Sequence, residues 1–382
     1  MPKGATRTIL ISAGEASGDR LGGALMAEIR AQHPEVRFIG VGGPHMQIQG
    51  LKPLFPMSDL AVMGLFEVIP AIPRILGRLT QLTALARAEK PDLIISIDSQ
   101  DFSSRLAKRL KPLGIPHIQY VAPKVWAWRQ HRVKKLKSLY THLLTILPFE
   151  TDFFARAGMS ASYVGHPSVT LLKPYLQGAK TETKDPVLAI LPGSRTAELK
   201  QHWPLFLQTY RQLRMAIPNL SAVLALPSEK ALTTCHQLAD WTKNDAIKPI
   251  FGEDRFTHLA TATAALSKSG TNNLELALLY TPAVVSYRMN GLTYAIAKRL
   301  VKVPYISLPN LILHYAGQGA VYPEFIQHDA TPDILAAELA LLLTNAAEAK
   351  TQRSALQRFH ALMDTPKPPA AMAVDVISKY MK

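Results

Sequence analysis

The chain has 382 residues, of which 48% are hydrophobic and 19% are charged. This composition excludes an intrinsically disordered protein, and the length is sufficient for two domains. The formal net charge of +15 favours anionic partners such as nucleic acid, anionic lipid or phosphate-bearing substrates. The single cysteine excludes an intrachain disulfide.

Short apolar runs alternate with helical segments along the first half of the chain. This alternation is typical of a parallel sheet covered by helices on both faces. We expect strands there at 8–12, 36–41, 93–97, 115–121, 143–147 and 162–164. A segment with three prolines and no strong strand follows, and the alternation resumes with strands expected at 187–191, 222–226, 249–251, 264–267 and 283–286.

The pattern predicts an α/β protein with a domain at 1–168, a linker at 169–186 and a second domain at 187–345. The helical residues 346–382, with a break at 365–369, are expected to pack back on the first domain. No run reaches 18 apolar residues without a charge, and the first apolar run is too short for a signal peptide. We therefore expect a cytoplasmic protein, either soluble or attached to a membrane surface.

Candidate chemistry in the first domain follows two strands, where ligands of such sheets bind. After the first strand, the glycines of AGEASGD at 13–19 expose backbone N–H groups at a helix start, which can bind an anion. Glu15 would accept a sugar hydroxyl and disfavours a dinucleotide, whereas the alternative interpretation is a plain turn capped by Ser17. Asp98 ends another strand and can act as a general base, and Asp101 is expected to cap the next helix.

Two further segments of this domain suggest a surface role. Residues 124–137 hold six Lys or Arg, two tryptophans and no acid, which is typical of a nucleic-acid or membrane surface or of a solvated helix with buried tryptophans. In residues 60–79, 13 of 20 side chains are apolar, and two prolines are expected to break the run. This run is either core or a loop that contacts lipid. The candidate contacts with a substrate phosphate or a membrane are Ser17 and, in these two segments, Trp128, Arg129, Arg132, Met63, Phe66, Val68, Ile69 and Ile72.

Two strand–turn–helix segments of the second domain are candidate diphosphate sites. Gly193, Ser194 and Arg195 combine a tight turn, backbone donors and a planar cation. Ser269, Gly270 and Thr271 offer further donors. Glu275 lies one helical turn later on the same face, within reach of ribose hydroxyls.

Motifs spread over most of the chain resemble those of the lipid-A-disaccharide synthases, glycosyltransferases (family 19) of the GT-B fold. They include AGEASGD, GVGGPHMQ at 40–47, LAVMGLFEV at 60–68, IDSQDF at 97–102, YVAPKVWAWRQHRV at 120–133, LPGSRTAE at 191–198 and SGTNNLE at 269–275. The resemblance implies two Rossmann-like domains that face each other across a cleft. It also implies donor-site roles for Asn310, Glu324 and Gln327. The segment at 312–322 departs from the family pattern.

The implied reaction joins UDP-2,3-diacylglucosamine to 2,3-diacylglucosamine 1-phosphate with inversion, giving a β-1,6-linked disaccharide phosphate and UDP. The resemblance implies Asp98 as the base with Glu15 in reserve, and Arg195 as the group that stabilises the diphosphate. It implies no cofactor and no metal. The expected partners are the two substrates and the anionic inner-membrane surface rather than nucleic acid, and a homodimer stays open.

Two alternatives remain at this point. One is another GT-B enzyme that uses UDP-N-acetylglucosamine, such as a 2-epimerase or the peptidoglycan transferase; the apolar run at 60–79 favours the acylated substrate instead. The other is a non-catalytic basic protein that binds membranes or nucleic acid, for which a salt-dependent affinity for DNA without any affinity for UDP would be the sign.

Overall fold

The computed structural model describes residues 7–60, 65–128, 130–176 and 185–381. The chain divides into two compact units. The first lobe comprises Met1–Pro167 and Thr365–Lys382, and the second lobe comprises Ser168–Asp364. Each lobe contains one parallel sheet, so the predicted α/β class is confirmed.

The first lobe is built on a six-stranded parallel sheet in the order β2-β1-β3-β4-β5-β6. Two of its inner strands, β1 and β3, are mostly apolar and are buried along their whole length, as expected for strands covered on both faces. The strands are β1 (Thr8–Ala13), β2 (Arg37–Val41), β3 (Leu93–Ile97), β4 (His117–Tyr120), β5 (His142–Thr145) and β6 (Ala161–Tyr163).

The second lobe repeats this architecture with the order β12-β11-β10-β7-β8-β9. The sequence does not predict its short last strand, because three residues are too few to show an alternation of apolar and polar side chains. The strands are β7 (Val187–Leu191), β8 (Ser221–Ala225), β9 (Ile247–Ile250), β10 (Ala264–Lys268), β11 (Ala283–Tyr287) and β12 (Glu324–Ile326).

Helices connect the strands in both lobes. The helices up to the lobe boundary are α1 (Ala16–Gln32), α2 (Pro44–Ile48), α3 (Leu65–Glu89), α4 (Gln100–Leu110), α5 (Val125–Trp128), α6 (Val133–Lys137), α7 (Pro148–Arg156) and α8 (Pro167–Leu172). The later helices are α9 (Thr196–Ala216), α10 (Glu229–Leu238), α11 (Arg255–Thr261), α12 (Thr271–Leu278), α13 (Gly291–Leu300), α14 (Leu308–Tyr315), α15 (Pro332–Thr344), α16 (Ala346–Met363) and α17 (Pro369–Ile377).

The C-terminal helices divide between the lobes, which corrects the expectation that all of 346–382 packs on the first one. Helix α16 packs against α12, α14 and α15, and its buried Leu356 and Phe359 cover the second lobe. Helix α17 packs against α1 and joins the core of the first lobe through Val374 and Ile377. The boundary therefore lies in the non-helical break before α17 rather than at residue 346.

Helix α3 corrects another expectation, because Pro70 and Pro73 lie inside it and do not end it. Each proline removes one backbone donor from the helix. The helix continues because its later turns are anchored in the core, where Leu79, Leu82 and Ala86 are buried. No helix of the described residues is long and apolar enough to cross a membrane.

Candidate active site

The first sheet has a topological switch point between β1 and β3. The chain leaves β1 toward β2 on one side and later enters β3 on the other side. Loops at the carboxyl ends of two such strands diverge and leave a binding crevice. Glu15 follows β1 and Asp98 follows β3, and the two loops touch, since a Cβ on Gly14 would lie 2.4 Å from Ser99 Oγ.

The backbone around Asp98 is strained. Asp98 and Ser99 have φ values of 50° and 42°, and Val121, directly after the neighbouring strand β4, has 68°. Such a conformation costs a non-glycine residue about 1–3 kcal/mol, and it clusters at functional sites. Three hydrogen bonds hold Asp98 there: its N–H donates to Tyr120 O at 2.9 Å, and its carbonyl accepts from Ser103 Oγ and Gln119 Nε2 at 2.9 and 3.1 Å.

The side chains of Glu15 and Asp98 are available for chemistry. Glu15 is exposed and Asp98 is partly exposed. Neither carboxylate makes a hydrogen bond or ion pair with another residue in the described part of the chain. Ser99, not Asp101, occupies the N-cap position of α4, and Glu15, not Ser17, occupies that of α1. Ser17 is exposed in the first turn of α1.

Asp19 is an anchoring residue that sequence reasoning missed. It is buried, and its Oδ1 accepts the N–H groups of Gly43 and Met46 at 2.8 and 3.1 Å. Its Oδ2 accepts the N–H of His45 at 3.0 Å. The last residue of the AGEASGD motif therefore holds the loop after β2 beside the loop after β1. Its place in the motif next to a glycine was the available signal.

The basic segment 124–137 is anchored by buried apolar side chains, among them a tryptophan, and its described Lys and Arg side chains are exposed. Trp126 Nε1 donates to Glu150 Oε1 at 3.0 Å. Burial raises the pKa of Glu150 to about 7, although the hydrogen bonds from Trp126 and the backbone and the charge of Lys124 act in the opposite direction. Trp128 is 43% exposed, and Arg132 is exposed. The interpretation with buried tryptophans is thus correct for Trp126 only.

The apolar run 60–79 is divided between core and surface. Leu79 is buried, whereas Ile72 and Leu76 are 43% and 38% exposed on α3. Of the other candidate contacts, Met63 and Arg129 lie outside the described residues, and so do the side chains of Phe66, Val68 and Ile69.

The second sheet has its own switch point, between β7 and β10. The loop after β7 carries Gly193, Ser194 and Arg195, and the loop after β10 carries Ser269 and the start of α12. The two predicted diphosphate segments therefore lie next to each other at the carboxyl ends of adjacent strands. This is the place where an open α/β sheet binds ligands.

A salt bridge joins these two loops. Glu198 Oε1 accepts from Lys268 Nζ at 3.0 Å, and Glu198 Oε2 accepts the N–H groups of Ser194 and Arg195 at 2.9 and 3.3 Å. Both N–H groups were expected to face a phosphate, and the carboxylate occupies them instead. Burial favours a higher pKa for Glu198, but these hydrogen bonds and Lys268 outweigh it and lower the pKa. The Arg195 side chain is 73% exposed, and its Nη1 lies 4.0 Å from Glu198 Oε1.

The loop after β10 and helix α12 are also held by internal bonds. Ser269 Oγ donates to Ile306 O at 2.7 Å, and Gly270 N donates to Asn273 Oδ1 at 3.0 Å. Thr271 is exposed at the start of α12. Glu275 is buried, and both oxygens of its carboxylate accept from Arg255 Nη2, at 3.0 and 3.2 Å. Its reach to ribose hydroxyls stays a prediction.

Asn310 and Glu324 form one buried network. Asn310 Oδ1 accepts the N–H groups of Val321 and Tyr322, and its Nδ2 donates to Glu324 Oε1 at 2.8 Å. Glu324 also accepts from the backbone of 306 and 307. Gln327 holds both backbone groups of Met289, at 2.7 and 3.1 Å. These hydrogen bonds hold the loops that carry the three residues, and Asn310 closes the atypical 312–322 segment. Their contact with the donor stays a prediction.

His202 is a further positioning residue that the sequence did not indicate. Its Nδ1 lies 2.8 Å from Glu198 O and its Nε2 lies 2.9 Å from the N–H of Arg288. Because a carbonyl only accepts and an N–H only donates, Nδ1 carries the proton and Nε2 does not. Burial lowers the pKa of His202 to about 4. A neutral imidazole therefore ties the start of α9 to the end of β11.

Metal-ligating side chains are not clustered in the described ranges, where no group of three or more His, Cys, Asp or Glu could hold an ion. The Lys268–Glu198 and Arg255–Glu275 pairs supply the buried charge of the second lobe instead. Arg195 and Lys268 are the cations nearest the two candidate diphosphate loops along the chain.

Comparison with known proteins identifies the family. The model of the lipid-A-disaccharide synthetase family matches residues 9–371. The lipid-A-disaccharide synthase of Granulibacter bethesdensis is 39% identical over 373 residues, which cover 94% of this chain and 93% of that protein.

Solved structures with low sequence identity share the fold. A putative UDP-N-acetylglucosamine 2-epimerase from Listeria monocytogenes aligns with a TM-score of 0.60 at 11% identity, covering 98% of this chain and 95% of that one. The glycosyltransferase of kitacinnamycin aligns with a TM-score of 0.62 at 15% identity, covering 98% and 99%. These likenesses show the two-domain GT-B fold, and the family match decides between the enzyme classes that share it. The chain therefore belongs to the lipid-A-disaccharide synthase family and is a glycosyltransferase that forms the lipid A disaccharide.

Proposed function

We propose that the enzyme transfers the diacylglucosaminyl group of UDP-2,3-diacylglucosamine to the 6-hydroxyl of 2,3-diacylglucosamine 1-phosphate. The observation that carries this proposal is the pair of carboxylates at the switch point of the first lobe, Glu15 and Asp98, which have no side-chain partner among the residues that the structure describes. A hydroxyl nucleophile needs a base, and either carboxylate can accept its proton. In a chain of this family, that base belongs to the acceptor side of the reaction.

In the proposed mechanism, Asp98 accepts the proton of the 6-hydroxyl while the hydroxyl oxygen attacks the anomeric carbon of the donor. The bond between this carbon and the diphosphate oxygen breaks, and UDP leaves with the electron pair. One displacement inverts the anomeric centre and needs no covalent intermediate. The hydrogen bonds that hold Asp98 at a positive φ fix the backbone from which its carboxylate extends before the substrate arrives.

The second lobe is proposed to bind the UDP part of the donor. Negative charge grows on the diphosphate as the bond breaks, and a prearranged cation stabilises it. Arg195 is suited to this role because its guanidinium is exposed while its backbone is fixed by Glu198. The salt bridge from Lys268 to Glu198 keeps the two loops together.

The direct test is to incubate the purified enzyme with both acylated substrates and to detect the disaccharide phosphate by mass spectrometry. We expect the product only when both substrates are present. UDP-N-acetylglucosamine is the matched control donor. An enzyme that epimerises this control, or that transfers it as fast as the acylated donor, would overturn the proposed substrate.

We also propose that the first lobe binds the inner membrane peripherally. The support is the exposed pair Ile72 and Leu76 on α3 together with the exposed cations of 124–137. Each cation near an anionic surface contributes about 1 kcal/mol, and inserted apolar side chains add to it. Since the electrostatic part is screened, binding should weaken as salt rises.

Sedimentation with anionic vesicles tests the membrane proposal. Changing Val68, Ile69 and Ile72 to Ser should lower the bound fraction beyond the effect of salt, while the circular dichroism spectrum stays that of the wild type. The same triple change should leave the release of UDP from soluble, short-chain substrates in place. A wild-type enzyme that stays in the supernatant at low salt would contradict the membrane claim and leave the transferase claim intact.

A further inference from the structure

A cavity of about 680 Å³ lies in the first lobe, between α3, α4 and the segment around α6. Its volume is within the range of about 300–1,000 Å³ that small-molecule sites occupy. One carboxylate, that of Asp101, lines it. The cations that line it are Arg105, Lys108, Arg109, Arg132 and Lys135. The apolar part includes Leu76, Leu79, Val125, Leu136 and Leu139.

The cations of this cavity come from helical faces that point into it. Arg105, Lys108 and Arg109 are three and four residues apart on α4, and therefore share one face. None of the five cations forms an ion pair with a carboxylate in the described ranges. Arg109 donates to Thr80 Oγ1 at 3.0 Å. Like charges around one cavity repel each other, and an anionic ligand removes that repulsion.

The apolar wall completes the chemistry of the site. Leu79, Leu136 and Leu139 are at most 9% exposed, and Leu76 at the rim is 38% exposed. Hydrocarbon that covers such a wall leaves water favourably. A small anion alone would leave the leucines unused, and a hydrocarbon alone would leave the cations without a counter-ion. The lining therefore fits an amphiphile with a phosphate group and an acyl chain.

The cavity begins next to the proposed base. Gln100 and Asp101 line it, and Gln100 is two residues after Asp98, so their Cα atoms are at most about 7 Å apart. We propose that this cavity is the acceptor site, in which the cations bind the 1-phosphate and the leucines take an acyl chain. The phosphate is on C1 of the acceptor sugar and the reacting hydroxyl is on C6. One sugar can therefore place its phosphate in the cavity and its 6-hydroxyl at Asp98. This inference rests on the proposed function, because it takes Asp98 as the base.

Two matched pairs of variants isolate the cavity from the rest of the basic and apolar surface. Lys135 lines it, and the adjacent Lys134 is exposed on the same helix but does not. Likewise Leu76 lines it, and the exposed Ile72 one turn earlier does not. Within each pair, the change in charge or hydrophobicity is the same.

The experiment measures the binding of dodecyl phosphate by titration calorimetry, below its micelle concentration and without donor. We expect Lys135→Gln and Leu76→Ser each to weaken binding about tenfold, the loss expected for one charge-assisted hydrogen bond or one buried side chain. Lys134→Gln and Ile72→Ser should bind as the wild type does. Inorganic phosphate and dodecyl maltoside should each bind at least tenfold more weakly than dodecyl phosphate.

Further arms separate the acceptor from other sources of phosphate. If Lys134→Gln weakens binding as much as Lys135→Gln, the surface acts through general charge and the cavity is not a site. Two other results also overturn the proposal. One is inorganic phosphate binding as tightly as dodecyl phosphate, and the other is a protein that binds phosphatidylglycerol vesicles but not dodecyl phosphate. In the enzyme assay, Lys135→Gln should raise the KM for the acceptor and leave the KM for the donor unchanged. If no disaccharide forms but dodecyl phosphate binding follows the matched pairs, the proposed function fails and the ligand site stands.

Discussion

The switch points of the two lobes are built alike but treat their charged groups in opposite ways. In the second lobe, Glu198 is bound to Lys268 and to two N–H groups of the loop after β7. In the first lobe, neither Glu15 nor Asp98 has a side-chain partner within the described residues, and Asp98 lies on strained backbone. A group that has to take up a proton must be left free, whereas a site for a charged leaving group can be fixed in advance. The difference supports a reactive role for the first lobe and a binding role for the second.

The largest effect should come from Asp98→Asn, which keeps the shape of the side chain and removes its basicity. We expect the turnover number to fall by about 10²–10⁴-fold, while the melting temperature and the affinity for UDP stay unchanged. The matched variant is Glu15→Gln at the same switch point. A dead Glu15→Gln enzyme beside an active Asp98→Asn enzyme would exchange the two roles.

Arg195→Ala tests the second lobe. Loss of one prearranged cation should cost about 2–4 kcal/mol of transition-state stabilisation, measured as kcat/KM. Because the side chain is 73% exposed, the fold should not change. Lys200→Ala is the control, since Lys200 is an exposed cation on the same helix. Wild-type kinetics for Arg195→Ala would remove this residue from the donor site.

Asn310→Ala asks whether the inner network of the second lobe binds or positions. The change removes four hydrogen bonds and leaves the buried N–H groups of Val321 and Tyr322 without their partner. We expect a loss of about 2–3 kcal/mol in the free energy of unfolding and a lower melting temperature, which saturating UDP restores only in part. An unchanged melting temperature with a raised KM for the donor would instead favour direct contact.

The sheets and their switch points follow from patterns that sequence alone carries. Mostly apolar runs such as β1 and β3 predict buried parallel strands, and the residues just after them are the candidate site residues. What the sequence could not predict is how polar groups pair. Glu275 fits a ligand-binding role by position, and the cation that pairs with it, Arg255, lies at the start of α11. Glu198 is paired in the same way with Lys268 at the end of β10.

Helix ends and helix breaks were predicted less well, for a related reason. Pro73 is tolerated inside α3 because the core holds later turns of the helix, and tertiary contacts of this kind outweigh local propensity. The same applies to α16, whose apolar face fits the second lobe. The sequence of α16 shows that its apolar face must be buried, but it does not show which of the two domains that face packs against.

The smallest predicted effect concerns pH and the imidazole that supports the second lobe. Burial lowers the pKa of His202 to about 4, whereas an unfolded histidine titrates near 6.5. Between pH 6.5 and pH 4, His202 is therefore protonated in the unfolded state but not in the folded state. Stability falls as the pH falls through this window. Each pH unit in this window costs about 1.4 kcal/mol of the free energy of unfolding, and above pH 6.5 the contribution is constant.

His202→Gln keeps a donor and an acceptor but does not titrate, so its stability should fall less steeply with acid. Urea unfolding at pH 7.5 and pH 5.5 measures the difference, which should grow by about 1.4 kcal/mol between the two. His328→Gln, at an exposed site of the same lobe, should follow the wild type. Parallel curves for His202→Gln and the wild type would mean that the imidazole takes up a proton equally in the folded and the unfolded protein, which would contradict a pKa lowered by burial.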